Sequence, residues 1–277
     1  MRVLIVGGSG FLGAELVRQA TAAGHATAAT HARSRPEGPA ETEWHALDLR
    51  HPHQVAAVVG AVRPEVVVNA SSGGPDWAVT AEGPVRLAQS AVRIGCRLVH
   101  VSSDAVFSGA SLIPYDEACL PDPVTAYGAA KAAAETGVRL VHPDAVVART
   151  SLIIGGGRSE HERLVHALAG GTRAGALYTD DIRCPVHVSD LASALLELAL
   201  GDARGMHHLG GSEALSRYEL GVLIARRDSL DAARLPSALR AHSGTPGPLN
   251  VRLDSRATQR RLRTTLRGAR QFLRPVS

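Results

Sequence analysis

Near its amino terminus the chain reads Arg2-Val-Leu-Ile-Val-Gly-Gly-Ser-Gly-Phe-Leu-Gly13. The aliphatic run Val3–Val6 predicts a buried strand, and apolar residues recur at helical spacing over Ala14–Ala23, before Gly24. A glycine loop between a strand and a helix leaves unpaired N–H groups at the helix start, where a pyrophosphate can bind. The pattern therefore predicts a dinucleotide site, although a tight turn without a ligand also fits it. The loop residues expected at that site are Gly7, Gly10, Phe11, Leu12 and Gly13.

Strand-like and helix-like segments alternate over the first 150 residues. The predicted strands are Val3–Val6, His25–Thr30, Trp44–Leu47, Glu65–Asn69, Arg97–Ser102 and Asp144–Thr150. The predicted helices between them are Ala14–Ala23, His53–Val62, Gly83–Ile94 and Thr125–Val141. Nearly continuous apolar strands separated by helices indicate a parallel sheet that is covered on both faces. We therefore expect an α/β, doubly wound Rossmann fold over residues 1–150, with ligands at the carboxyl ends of its strands.

Beyond residue 150, strand-like and helix-like segments no longer alternate regularly. Glycine-rich loops separate helices predicted at His161–Ala169, Asp190–Leu200 and Arg217–Arg226. Residues 151–277 are therefore expected to form mainly a smaller substrate-binding lobe, with some segments returning to the Rossmann core.

Length and composition exclude several classes of protein. The chain has 277 residues, of which 45% are hydrophobic and 3% aromatic. Its longest apolar runs are far shorter than the ~20 residues that a membrane helix needs. The three cysteines, Cys96, Cys119 and Cys184, are spaced too widely for a disulfide scaffold or a four-cysteine zinc site. We expect a soluble, cytoplasmic protein with no metal and no membrane partner; a homodimer stays open.

The positive charge is concentrated near the carboxyl terminus. The net charge is +4, but residues 251–277 hold eight arginines and one acid, so the rest of the chain is slightly acidic. Nucleic-acid binding is one interpretation of that segment. The spacing of Leu262 and Leu266 instead favours an amphipathic final helix with a solvated basic face. We therefore expect no nucleic-acid partner.

The choice between NAD and NADP depends on the loop after the second predicted strand. An NAD site usually places an acid about 20 residues beyond the glycine loop. Here the sequence is Thr30-His-Ala-Arg-Ser-Arg35, which contains no acid. Arg33 can pair with a 2′-phosphate, which favours NADP over NAD. A solvated loop in an arginine-rich chain would show the same sequence.

Tyr127 and Lys131 lie four residues apart near the start of a predicted helix, so both can face one ligand. A phenol has a pKa near 10, and a nearby ammonium is expected to lower it and make the tyrosine a usable acid or base. Lysine can also donate to ribose hydroxyls, and the planar arginine fork does not replace it. Of the 30 basic residues only Lys131 is a lysine, which coincidence explains poorly.

With these residues the chain resembles an extended short-chain dehydrogenase/reductase, and most of all the dTDP-4-dehydrorhamnose reductase family. The similarity covers almost the full chain. The motifs that match are the glycine loop, the Tyr127–Lys131 pair, Val101-Ser-Ser-Asp-Ala-Val-Phe-Ser-Gly109, Arg149-Thr-Ser151 and Pro248-Leu-Asn-Val-Arg-Leu-Asp254.

The resemblance implies roles for individual residues. It places Ser103 beside Tyr127 and Lys131 as the catalytic set, and it makes Asp104 a substrate contact. We expect Arg252 to pair with a substrate diphosphate, because arginine offers a matching fork. The resemblance also implies cofactor contacts after the third and fourth strands, from Asp48, Leu49, Ala70, Ser71 and Ser72.

The function implied is reduction of a ketone by NADPH, with the 4-keto group of a nucleotide-linked, dTDP-type deoxysugar as the expected substrate. Leu152 stands where the rhamnose enzymes usually carry an aromatic residue, which leaves open a non-sugar ketone of secondary metabolism. The fold would also suit a sugar-nucleotide epimerase or a non-catalytic NAD(P)-binding regulatory subunit. The complete Ser–Tyr–Lys set argues against the regulatory role.

Overall fold

A computed structural model describes residues 1–36, 39–244 and 246–274. The elements that form the large sheet and its covering helices are β1 (Arg2–Val6), α1 (Phe11–Ala22), β2 (Ala26–His31), β3 (Glu43–Ala46), α2 (Pro52–Val62), β4 (Val66–Asn69), α3 (Gly83–Ile94), β5 (Arg97–Ser103), α4 (Ala126–Val141) and β6 (Val146–Thr150). The later elements are β7 (Ile153–Ile154), α5 (Glu160–Ala169), β8 (Leu177–Tyr178), β9 (Ile182–Arg183), β10 (Val186–His187), α6 (Val188–Leu200), β11 (Gly205–Leu209), β12 (Leu215–Ser216), α7 (Arg217–Arg227), β13 (Ser237–Ala238), α8 (Arg256–Gln259) and α9 (Ala269–Phe272).

Seven parallel strands form the central sheet in the order β11-β6-β5-β4-β1-β2-β3. The α/β doubly wound fold expected from the sequence is confirmed, and the strands and helices predicted over the first 150 residues are all present with ends shifted by at most three residues. The chain crosses from β3 back to β4 beside β1, so the direction of winding reverses between β1 and β4. In open sheets of this kind the ligand crevice lies outside the carboxyl ends of the strands at that point.

Alternate side chains of each strand enter different cores. Val3 and Ile5 pack with α1 and α6 on one face of the sheet, whereas Leu4 and Val6 pack with α2, α3 and α4 on the other. Because both faces are buried, the strands carry apolar residues at successive positions instead of alternating with polar ones. This explains why short runs such as Val66–Val68 indicate parallel strands.

The second lobe has a core of its own. Helices α5 and α7 pack around Leu152, Ile154, Leu177 and Leu220. Between them the chain returns to the large sheet, because α6 packs on α1 and β11 pairs with β6.

The carboxyl-terminal segment differs from the sequence prediction. The amphipathic final helix is wrong: among the described residues up to Arg274, only the single turns α8 and α9 are helical. The carboxylate of Glu197 in α6 accepts hydrogen bonds from the backbone N–H groups of Arg263 and Thr264, which holds this part of the chain in a non-helical conformation. Leu262 and Leu266 still pack against the core beneath the sheet. Tertiary contacts therefore decide the backbone here, over the helical spacing.

No helix in the described part of the chain is long and apolar enough to cross a membrane. Within the same residues, no group of three or more His, Cys, Asp or Glu side chains is arranged to hold a metal ion.

Candidate active site

The glycine loop is packed too tightly for side chains at Gly7, Gly8 and Gly13. Gly7 has a φ of +82°, and a Cβ there would lie 2.8 Å from the Cα of Ser71 in the loop after β4. A Cβ on Gly13 would lie 2.0 Å from the carbonyl oxygen of Gly7. The start of α1 therefore sits directly against β1 and β4 at the point where the winding reverses.

The amino terminus of α1 is open to a ligand. Its N-cap is Gly10, which supplies no capping side chain, and Gly10, Phe11 and Leu12 line a cleft of about 1030 Å³. Uncapped N–H groups and the helix dipole favour an anion at such a position. The residues present thus fit the pyrophosphate of a dinucleotide, with the glycines providing the close approach.

The same cleft brings together side chains from both lobes. On the Rossmann side it is lined by Ala70, Ser71, Ser72, Ser103, Asp104, Tyr127 and Lys131. On the opposite side it is lined by Leu152, Arg158, Glu160, His161, Arg163, Arg183, Arg217 and Arg240.

Tyr127 is positioned by the first turn of α4. The N-cap Thr125 accepts a hydrogen bond from the backbone N–H of Gly128 at 3.0 Å. A Cβ on Gly128 would lie 2.1 Å from the carbonyl oxygen of Ala105, so the absence of a side chain lets α4 approach the turn after β5. This approach carries Tyr127 towards Ser103.

The electrostatics of Tyr127 differ from the sequence prediction. Burial raises the pKa of this phenol, while the hydroxyl groups of Ser103 and Ser72 act in the opposite direction. The nearby charge of Asp104 also raises it. The net pKa of Tyr127 is therefore raised and not lowered, so the phenol keeps its proton at neutral pH. That protonation state suits a proton donor.

Lys131 is buried, and its Nζ donates a hydrogen bond to the carbonyl oxygen of Val101 at 2.9 Å. Desolvation lowers its pKa to about 8, although the carboxylate of Glu135 acts to raise it. The ammonium is thus held in place and stays charged at neutral pH, with two of its three N–H donors available.

A buried ion pair fixes the position of α4 against the central sheet. Glu135, one turn beyond Lys131, accepts two hydrogen bonds from the guanidinium of Arg149, at 3.0 and 2.8 Å. Ser102 Oγ donates to the same carboxylate at 2.5 Å. The pair ties α4 to β5 and β6, the strands whose carboxyl ends form the floor of the cleft.

Ser103 and Asp104 lie at the end of β5. Ser103 Oγ accepts a hydrogen bond from the N–H of Ala105 at 3.2 Å, so it caps the turn as well as facing the cleft. Asp104 is 5% exposed and accepts a hydrogen bond from Ser151 Oγ at 2.6 Å. Burial raises the pKa of Asp104, while Arg183, whose Nε lies 3.6 Å from Oδ2, opposes the rise.

Three arginines of the second lobe converge on one carboxylate. Asp181 is fully buried, and its oxygens lie 2.9 Å from Arg183 Nη1, 3.5 Å from Arg217 Nε and 2.9 Å from Arg240 Nε. The arginines come from β9, from the first residue of α7 and from a turn at residues 240–242. We call Arg183, Arg217 and Arg240 the arginine cluster. Even with Asp104, which lies 3.6 Å from Arg183, two carboxylates face three guanidinium groups, so this wall of the cleft favours an anion.

One protein family covers nearly the whole chain. The family described as the RmlD substrate-binding domain matches residues 1–276. This chain belongs to that family. The resemblance stated from the sequence motifs is therefore confirmed.

Two relatives and one solved structure illustrate the family's range. The dTDP-4-dehydrorhamnose reductase of Mycobacterium tuberculosis is 31% identical over 254 residues, which cover 89% of this chain and 82% of that protein. Methionine adenosyltransferase 2 subunit beta of Rattus norvegicus is 30% identical over 275 residues, covering 91% and 80%. The crystal structure of a Bacillus anthracis dTDP-4-dehydrorhamnose reductase in complex with NADP has a TM-score of 0.82 at 21% identity, covering 98% of this chain and 95% of that one. The structural likeness shows the fold.

Some residues singled out from the sequence lie elsewhere. Arg252 lines a separate pocket and donates a hydrogen bond to the carbonyl oxygen of Leu112, so the structure does not bring it to the wall that holds the arginine cluster. Its motif spacing could not show this, because the chain turns away from the cleft before Arg252. Arg33 is exposed in the loop after β2. Asp48 pairs with Arg50 at 2.6 Å, which lowers the pKa of Asp48 to about 2, and Leu49 is buried against Gly83.

The arginine cluster is not predicted by the sequence motifs. Its members are separated by 34 and 23 residues along the chain, and 29 of the 277 residues are arginines. The one local signal is Asp181-Ile-Arg183, in which residues two apart share a face of a strand.

Proposed function

We propose that this protein is an NADPH-dependent reductase of a ketone, with the 4-keto group of a nucleotide-linked deoxysugar as its substrate. The observation that carries the proposal is that Ser103, Tyr127 and Lys131 face the arginine cluster across one cleft. A proton donor and an anion-binding wall in the same cleft suit a substrate that joins a carbonyl to a diphosphate. The M. tuberculosis reductase, at 31% identity, supports this substrate class.

The cofactor fits the Rossmann wall. The uncapped start of α1 and the glycines would hold the pyrophosphate, Lys131 would donate to the ribose, and Arg33 would face the 2′-phosphate. Asp48, Leu49, Ala70, Ser71 and Ser72 are proposed to border the remainder of the cofactor. When bound, the nicotinamide supplies the hydride that reduces the carbonyl carbon.

Three residues then complete the reduction. Tyr127 donates its phenolic proton to the carbonyl oxygen as negative charge develops there. Ser103 donates a hydrogen bond to the same oxygen, which stabilises that charge before the proton arrives. Lys131 stabilises the tyrosinate that is left. Tyr127 is protonated at neutral pH before the reaction begins, as a proton donor must be.

The substrate's nucleotide would lie on the opposite wall. Arg217 and Arg240 would pair with the diphosphate, and Asp104 would contact the sugar. Arg183, whose Nη atoms donate to backbone carbonyl oxygens, would hold the carboxylates of Asp104 and Asp181 in place. A mainly apolar cavity of about 230 Å³ adjoins Arg217 and Arg240 and is lined by Leu164, Val165, Leu177, Leu220 and Ile224, among others. Its size and position suit the base of the nucleotide.

Two competing functions rest on specific observations. Leu152 lines the cleft where the rhamnose enzymes usually have an aromatic side chain, which favours a substrate other than the rhamnose precursor. The methionine adenosyltransferase subunits favour a regulatory role, but such a role needs no proton donor. An epimerase would normally have an acid after β2, and Arg33 and Arg35 lie there instead.

The test is turnover with purified protein. A dTDP-linked 4-keto-6-deoxysugar is incubated with NADPH or NADH, and cofactor oxidation is followed at 340 nm. The proposal predicts oxidation that depends on the sugar and prefers NADPH. Reduction of a simple ketone but not of the sugar would favour a non-sugar substrate, and no oxidation with either would favour the regulatory role.

A further inference from the structure

Arg217 makes a contact that the proposed reaction does not explain. Its Nη1 lies 3.0 Å from Nδ1 of His161, a half-buried residue in the first turn of α5. Both side chains line the large cleft and also the apolar cavity beside it. The contact therefore lies at the junction of the two spaces.

The chemistry of the pair fixes the state of the imidazole. A guanidinium carries only N–H donors, so Nδ1 must present a lone pair and His161 must be neutral, with its proton on Nε2. Burial, with Arg217 as a second cause, lowers the pKa of His161 to about 3, which agrees with that state.

Arg217 is held from two other directions. Its backbone N–H donates to the carbonyl oxygen of Asp181 at 3.0 Å, and its Nε lies 3.5 Å from the carboxylate of the same residue. His161 thus supplies the third contact, on a different nitrogen of the guanidinium. Because Nε and Nη1 both make contacts, the plane of the guanidinium group is fixed. Its remaining N–H groups can donate to a ligand.

We infer that His161 is a positioning residue, which orients Arg217 for a diphosphate through a neutral Nδ1 acceptor and so adds no negative charge to that already supplied by Asp181. The inference rests on the proposed function, since it assigns Arg217 to the substrate's diphosphate. A carboxylate at position 161 would orient the guanidinium of Arg217 equally well, but its negative charge would offset the positive charge of the arginine. A neutral acceptor orients it and leaves the charge for the ligand.

The experiment compares four variants of the full chain by calorimetric titration with inorganic pyrophosphate and with dTDP, with NADP present throughout so that the pyrophosphate site at the start of α1 is filled. His161→Phe keeps a planar ring but removes the acceptor, and both dissociation constants should rise by about tenfold, as for the loss of a charge-assisted contact. His161→Asn restores an acceptor near the position of Nδ1 and should return within about threefold of wild type on the same scale. His161→Asp should bind more weakly than His161→Asn, because its charge opposes the ligand. His166→Phe, on the same helix but paired with Asp228 outside the cleft, is the matched control and should bind like wild type.

A second measurement needs neither ligand nor variant. The ¹⁵N NMR shifts of His161 should report a neutral imidazole with its proton on Nε2 at pH 5, where an ordinary histidine is charged. A charged His161 at that pH would overturn the inference, as would wild-type affinity in His161→Phe or equal losses in the Phe and Asn variants. NADPH affinity, which should not change, reports that each variant is folded.

The outcomes separate this inference from the proposed function. If pyrophosphate binding depends on His161 but no keto-sugar is reduced, the inference stands and the reductase proposal fails. If the keto-sugar is reduced and His161→Phe binds pyrophosphate as wild type does, the reductase proposal stands and the inference about His161 fails. If wild type binds neither pyrophosphate nor dTDP, both fail.

Discussion

The two walls of the cleft are built by different means. The Rossmann wall uses backbone N–H groups, small hydroxyl side chains and one ammonium, all placed by strand ends and by the first turns of α1 and α4. The wall on the second lobe uses guanidinium groups from three separate segments, gathered around the buried Asp181. The first wall offers donors whose positions the backbone fixes, whereas the second concentrates positive side-chain charge. We therefore expect substitutions on the two walls to change different kinetic constants.

The largest effect is expected for Tyr127→Phe. Removing the general acid should lower kcat by about 10²–10⁴-fold. Affinity for NADPH, measured by fluorescence titration, should change little, because the ring remains. Retention of more than about a tenth of wild-type kcat would show that another group donates the proton.

Substitution in the arginine cluster should affect KM for the substrate. Arg217→Met removes charge-assisted contacts to the diphosphate, so KM for the keto-sugar should rise by about 10–100-fold. The dissociation constant of NADPH should stay at the wild-type value. Arg252→Met is the matched control, since Arg252 lies at a separate pocket, and its KM should not change. Equal effects of the two substitutions would remove the distinction between the walls.

The pH dependence of cofactor binding should report Lys131. Its pKa is lowered to about 8, so the ammonium is charged below that pH and loses its proton above it. The affinity for NADPH should therefore be constant from pH 6 to 7.5 and should fall as the pH rises past 8, by up to about tenfold for each further pH unit. In Lys131→Met the fall above pH 8 should disappear and the affinity should be low throughout. A wild-type profile that is flat to pH 10 would contradict this assignment.

The smallest effect is expected at the exposed end of the cofactor site. Arg33→Ala removes a solvated partner of the 2′-phosphate, so the preference for NADPH over NADH should fall several-fold with kcat unchanged. The ratio of kcat/KM for the two cofactors measures it, and Arg173→Ala, in the exposed loop after α5, serves as the control. An unchanged ratio would leave Arg33 as a solvated residue only.

The two walls also differ in how far the sequence predicts them. Gly7, Gly13, Tyr127 and Lys131 act through local spacing, which is visible directly in the chain, and the sheet follows from apolar runs that alternate with helices. The arginine cluster depends on how α7 and the turn at residues 240–242 dock on β9, and no local pattern encodes that docking. For Arg252, the chemistry of the guanidinium suggests a diphosphate contact, whereas the structure places the residue at a separate pocket.

Tyr127 shows a second limit on what can be predicted from residue spacing. Spacing placed Tyr127 and Lys131 on one face of α4, but the pKa of Tyr127 depends on burial and on Ser103, Ser72 and Asp104, which arrive from other elements. Similarly, the spacing of Leu262 and Leu266 predicted burial but not the backbone, which Glu197 determines.

The most direct test is a crystal structure of the full chain with NADP and dTDP bound together. We expect the diphosphate of dTDP within hydrogen-bond distance of Arg217, and the C4 atom of the nicotinamide facing the space between that nucleotide and the Tyr127 hydroxyl. A structure with dTDP outside this cleft, or with the nicotinamide directed away from Tyr127, would contradict the account.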